Sequence, residues 1–198
     1  MTAHNPHAFD RAAAQPLRYL LIPGLNDSGP DHWQTRWQQC RDDCARIELG
    51  DWASPTRIGW TLRIGEAVEA SPDRVVLVGH SLGCLAIIWW AAQAPAFALA
   101  KVAGAMLVAP PDVGQQGCDL RLLRFAPLPG APLPFPALVV ASEDDCYASL
   151  SRSRALADSL RANLVNVGQL GHINGASNLG NWAEGQALLE LLPFTPRC

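Results

Sequence analysis

Near the middle of the chain a serine stands between two glycines, in Gly79-His80-Ser81-Leu82-Gly83. The residues before it, Val75-Val76-Leu77-Val78, read as a strand, and Leu82 to Gln93 reads as an apolar helix. That is the strand-turn-helix context of a nucleophile elbow. The serine of such a turn sits in strained backbone with its Oγ projecting, and a Cβ at position 79 or 83 would crowd the neighbouring strand and helix. A serine that only capped the helix would not require both glycines.

A serine hydroxyl is a weak nucleophile at neutral pH. It needs a base within hydrogen-bond reach and a carboxylate that orients the base. Where this turn is used for hydrolysis the chain order is serine, acid, histidine. Of the five histidines, His4 and His7 lie near the amino terminus, His32 precedes Trp33 on the first predicted helix, and His80 is inside the elbow. His172 alone comes late enough. It lies in Gln169-Leu-Gly-His-Ile-Asn-Gly, a glycine-bearing loop just after the last predicted strand, from which an imidazole can swing over the sheet edge. The acid is expected after the fifth strand, where Ala137-Leu-Val-Val-Ala-Ser-Glu-Asp-Asp offers Glu143, Asp144 and Asp145. Consecutive residues of an extended segment point to opposite sides, so Asp144 and Asp145 do not both reach one imidazole nitrogen. The oxyanion of an acyl-transfer intermediate would be held by two backbone N–H groups. Leu82, after the nucleophile, and Leu25, in the loop following the first strand, occupy the matching places.

These residues must be held by a scaffold, and the pattern of apolar runs describes one. Strand-length runs at Tyr19 to Ile22, Ala45 to Leu49, Arg74 to Val78, Val102 to Ala109, Ala137 to Ala141 and Leu164 to Val167 alternate with helix-length segments near Asp31 to Arg41, Arg57 to Ala70, Leu82 to Gln93, Ala148 to Arg161 and Asn181 to Leu192. Alternation of this kind predicts an α/β fold with a mostly parallel, six-stranded, doubly wound sheet. The strands lack apolar/polar alternation, as they should when helices cover both faces. Trp33 and Trp37 share a helix face and are expected in the core. The stretch Pro110 to Pro136 is too short for a lid domain and ends in a stiff proline-rich connector, so an open site and short acyl groups are expected.

Composition narrows the function classes. With 198 residues, 49% hydrophobic and 17% charged, the chain can fill one sizeable core. Residues 18–198 are expected to form one domain, and residues 1–17, which include Pro6, Asp10 and Pro16, a flexible tail. A formal net charge of -3 without any run of Lys or Arg argues against nucleic acid and membrane surfaces as partners. The longest apolar stretch, Cys84 to Ala92, is about half the roughly 20 residues that span a bilayer. The amino terminus lacks the apolar core of an export signal, which predicts a cytoplasmic protein with its six cysteines reduced. Cys40 and Cys44 have no further ligands at metal-site spacing. No metal or organic cofactor is expected, and the partner is a small ester or acyl substrate.

The residues resemble the small YdeN-like serine hydrolases of the α/β-hydrolase superfamily, a group of the retinoblastoma-binding-protein type. The resemblance runs from about Tyr19 to Leu191. It rests on Leu21-Ile-Pro-Gly-Leu followed by His32-Trp33, on Gly79-His-Ser-Leu-Gly, on Ala141-Ser-Glu-Asp-Asp, and on Gly171-His-Ile-Asn with Trp182 beyond. It implies a compact parallel sheet without a lid and a triad of Ser81, Asp145 and His172, because the second aspartate of the acid loop is the catalytic one in that pattern. Where the family usually has proline after this aspartate, the chain has Cys146. Acyl transfer to an alcohol or thiol would use the same residues. The alternative outside enzymes is a protein-binding scaffold on the same fold.

Overall fold

The computed structural model describes residues 16–192. Six strands, β1 (Leu17–Ile22), β2 (Cys44–Arg46), β3 (Arg74–His80), β4 (Val102–Val108), β5 (Ala137–Ala141) and β6 (Asn163–Asn166), form one sheet in the order β2-β1-β3-β4-β5-β6. Every pair is parallel, so the sheet is parallel throughout rather than mostly. The helices are α1 (Trp33–Cys40), α2 (Arg57–Ala70), α3 (Leu82–Gln93), α4 (Ala96–Leu99), α5 (Leu120–Leu123), α6 (Leu150–Leu160) and α7 (Ala183–Leu189).

Alternate strand residues feed two apolar layers. Leu20, Ile22, Val75, Leu77, Leu107 and Val139 pack with Trp60 and Ile64 of α2, Leu85 and Ile87 of α3 and Leu160 of α6. Leu21, Val76, Val78, Met106, Val108, Leu138 and Val140 pack on the other face with Trp33 and Trp37 of α1 and with Ile173 and Trp182. Both faces are covered, which is why these strands carry apolar residues at successive positions. Each fully buried Leu, Ile or Val is worth about 1.5–3 kcal/mol over its exposed state.

The strand order reverses between β1 and β3. The chain leaves β1 outward to β2, crosses back to β3, and from there proceeds to β6. Loops leaving β1 and β3 therefore diverge to opposite faces and open a crevice at their carboxyl ends, the place where open α/β sheets bind ligands. The buried Gln34 braces this point. Its amide donates to the carbonyls of Ile22 (3.3 Å) and Val78 (3.0 Å), one from each strand, while its oxygen accepts from Ser28 Oγ at 2.7 Å.

Several boundaries differ from the sequence reading. β2 stops at Arg46 because it is an edge strand paired only to Tyr19, Leu20 and Leu21, although Ile47 and Leu49 beyond it are still buried. β3 continues to His80, paired with Ile22 and Val108 through its last two residues. α1 begins at Trp33 because the His32 Nδ1 accepts the Gln34 N–H at 3.2 Å, and Asp31 instead pairs with Arg36 at 3.0 Å. α1 ends at Cys40, and β2 begins at Cys44, one residue before the expected Ala45. Residues 1–15 of the expected tail lie outside the described residues, and Leu17, placed in that tail by the sequence reading, is the first residue of β1.

Candidate active site

Ser81 sits at the turn between β3 and α3 with φ 50° and ψ −123°, and its hydroxyl makes no capping bond to α3. A side chain forced into that region is strained, so the surroundings must impose it. The two glycines answer different neighbours. A Cβ on Gly79 would lie 2.7 Å from Ile87 Cδ1 and 3.0 Å from the Cys84 nitrogen, inside the following helix. One on Gly83 would lie 2.2 Å from the Ile22 carbonyl oxygen, at the end of β1. Gly24 is also required, since its Cβ would lie 2.9 Å from that of Ser81.

The structure brings Ser81, His172 and Asp145 into one chain of hydrogen bonds. His172 Nε2 is 2.9 Å from Ser81 Oγ, and its Nδ1 is 2.9 Å from both carboxylate oxygens of Asp145. Asp145 Oδ1 also accepts the Tyr147 N–H at 2.9 Å, and the Tyr147 ring lies 4.3 Å from that of His172. Asp144 points elsewhere, accepting from Ser142 Oγ and from the Gly171 N–H, both at 2.8 Å. Glu143 accepts from the Asn166 amide at the edge of β6. Cys146, which follows Asp145, is exposed, and its carbonyl accepts from Gln115 Nε2 at 3.2 Å.

The loop carrying His172 is held from behind by aromatic donors. Trp33 Nε1 donates to the Ile173 carbonyl at 2.9 Å, and Trp37 Nε1 to that of Asn181 at 2.7 Å. Trp33, Trp37 and Trp182 form one ring cluster, with Trp33 4.7 Å and 5.0 Å from the other two. Both α1 tryptophans are core residues as expected, and they also anchor this loop, which their spacing in the sequence does not indicate.

Ser81 and His172 open on a cavity of about 220 Å³ whose walls include Gly24, Leu25, Asn26, His32, Asp119 and Arg121. Among the described residues neither the Leu25 nor the Leu82 N–H has an acceptor in the chain. Leu82 is the first residue of α3, so its N–H belongs to the positive end of the helix dipole. Among the described residues there is no lid domain. The short α5 segment lies across one side, where Arg121 pairs with Asp119 and reaches Asn26 Oδ1 (3.4 Å) and the Ala53 carbonyl (3.2 Å). These wall residues have no signal in the sequence, because nothing local in a proline-rich insertion says what it will cover. A larger hollow of about 410 Å³, between the segment after β4 and α6, contains none of Ser81, Asp145 and His172.

Two further histidines face this centre. Burial holds His32 down at about 4, helped by His172 and Arg46. The buried His80 is held well below the ordinary histidine range by desolvation, then by His32 and His172. Neither carries charge at neutral pH. Among the described residues no cluster of His, Cys, Asp or Glu could hold a metal ion, and no helix is long and apolar enough to cross a membrane. The described cysteines are all free.

A family model described as serine hydrolase matches residues 19–191. Among solved structures, a YdeN-like hydrolase of Pectobacterium atrosepticum is similar to the chain with a TM-score of 0.77 and 32% identity, over 89% of this chain and 90% of that one. The ydeN product of Bacillus subtilis is similar with a TM-score of 0.65 and 20% identity, over 89% and 98%. Est1E of Butyrivibrio proteoclasticus, solved with ferulic acid bound, shares the fold with a TM-score of 0.62 and 15% identity, over 88% of each chain. No curated protein gives a significant match. With most of its length matched by the family model and a third of its residues shared with a YdeN-like structure over nine-tenths of the chain, the protein belongs to the serine hydrolases, as a small YdeN-like member of the α/β-hydrolase superfamily.

Proposed function

We propose that this hydrolase cleaves small carboxylic esters, or related acyl or activated amide bonds, through an acyl-Ser81 intermediate, with Asp145 and His172 completing a triad. The observation that carries the reading is the unbroken run from Asp145 through His172 to Ser81, with 2.9 Å at each step, opening on a cavity. His172 Nε2 takes the Oγ proton as Oγ bonds to the substrate carbonyl carbon, and the same nitrogen returns the proton to the leaving oxygen as the old ester bond breaks. A water molecule then adds to the acyl carbon while His172 accepts its proton, which passes to Ser81 Oγ as the acid departs. The Asp145 carboxylate keeps the Nδ1–H tautomer, so that Nε2 is free to accept, and stabilises the imidazolium formed in each half-reaction. The unpaired N–H groups of Leu25 and Leu82 supply donors for the tetrahedral oxyanion. The chemistry calls for no metal or organic cofactor.

The test is reaction with a fluorophosphonate probe together with turnover of a short-chain aryl ester. Wild type is expected to be labelled and active. Ser81→Ala is expected to lose labelling and to lose turnover by several orders of magnitude while remaining folded. Near-wild-type turnover in the purified, folded variant would sink the mechanism.

A further inference from the structure

We propose that His80 is a positioning residue of this site: by donating its Nε2–H to the main-chain carbonyl of His172, it holds the base in line between Ser81 and Asp145. The proposal rests on the hydrolytic reading above. His80 ends β3, one residue before Ser81, and its place in the strand alternation puts its side chain on the face of Val76 and Val78, towards the His172 loop. Its Nε2 is 2.9 Å from the His172 carbonyl oxygen. A carbonyl only accepts, so this nitrogen carries the proton and Nδ1 is bare. Burial keeps the ring neutral, which preserves that single tautomer. His32 stands edge-on against His80 at 4.6 Å, and the His172 ring is 5.0 Å away.

The loop needs such a hold. Gly171 and Ile173, the two neighbours of His172, both have positive φ, 57° and 48°. For a β-branched isoleucine that backbone is unfavourable, so tertiary contacts must impose it. Trp33 and the buried Ile173 side chain fix the position after the base, and Asp144 fixes the one before it. The His80 bond falls on His172 itself. The carbonyl and the imidazole share one Cα, so a shift in the former moves the latter relative to Ser81, which the sheet holds separately. Misplacement of a reacting group by about 1 Å can cost about 10²-fold in rate.

Two substitutions separate this role from simple filling of space. His80→Leu keeps an apolar volume without a donor, whereas His80→Gln keeps an N–H at similar reach. His80→Leu is expected to lower kcat on a short aryl ester, and its fluorophosphonate labelling rate, by about 10²-fold with KM nearly unchanged. His80→Gln is expected to recover most of that loss even if both variants melt lower. Wild-type kcat in folded His80→Leu would overturn the proposal, and so would Gln and Leu variants that are equally impaired. If His80→Leu does not fold, the ring tautomer read by long-range ¹H–¹⁵N correlation in the wild-type protein decides: Nε2–H supports the bond, and Nδ1–H or a charged ring overturns it. Ser81→Ala in the same assay separates the two levels. Turnover surviving that change overturns both readings, whereas its loss beside a fully active His80→Leu overturns only this one.

Discussion

Asp144 and Asp145 are neighbours in the chain and their carboxylates bind different groups. Asp145 meets Nδ1 of His172, whereas Asp144 accepts from Ser142 Oγ and the Gly171 N–H, and these two donors hold its carboxyl below the usual carboxylate range. One residue thus faces the imidazole while the other ties the acid loop to the base loop.

The two positions should respond differently to the same change. Asp145→Asn preserves shape but favours the wrong imidazole tautomer, and turnover is expected to fall by up to about 10⁴-fold. Asp144→Asn is expected to lower the melting temperature with turnover largely kept. Parallel turnover and melting measurements check this, and the reverse pattern would show that the acid is Asp144.

Acyl size should be limited by the cavity. Its volume of about 220 Å³ lies below the roughly 300–1,000 Å³ of sites that enclose drug-sized ligands. Acetyl and butyryl esters are expected to be turned over faster than palmitoyl esters. Each buried CH₂ is worth about 0.8 kcal/mol, so a continuous apolar groove would instead give rates that climb steadily with chain length, and such a series would contradict the expectation.

Stability should fall in mild acid, through His32. Burial lowers this imidazole from 6.5 to about 4, so the folded state binds its proton later than the unfolded chain does. Its neutral form is fully compatible with folding above about 6.5, and stability is lost as pH drops from there towards 4, by about 3 kcal/mol over the whole interval. His80 adds to the same trend. His32→Asn keeps an acceptor for the Gln34 N–H while removing the titration. Its melting temperature is expected to drop less between pH 7 and 5 than that of wild type, and equal drops would count against His32 as the source.

Features that depend on spacing along the chain are legible in the residues alone. Strand-length apolar runs set between helix-length segments predict the sheet, and the glycines at 79 and 83 mark the turn that presents Ser81. The late position of His172 follows from chain order alone. Other features are set by contacts between residues far apart in the chain. Trp33 and Ile173 are 140 residues apart, and His80 and His172 are 92 apart, so no local pattern pairs them. The acid loop is the intermediate case. Glu143, Asp144 and Asp145 share one composition, and which carboxylate meets the imidazole depends on how the chain turns after β5 against the loop that follows β6. The cavity wall from Asp119 to Leu122 was illegible for the same reason: a short insertion takes its place from the surface it packs against, here Asn26 and Ala53 beside the loop after β1.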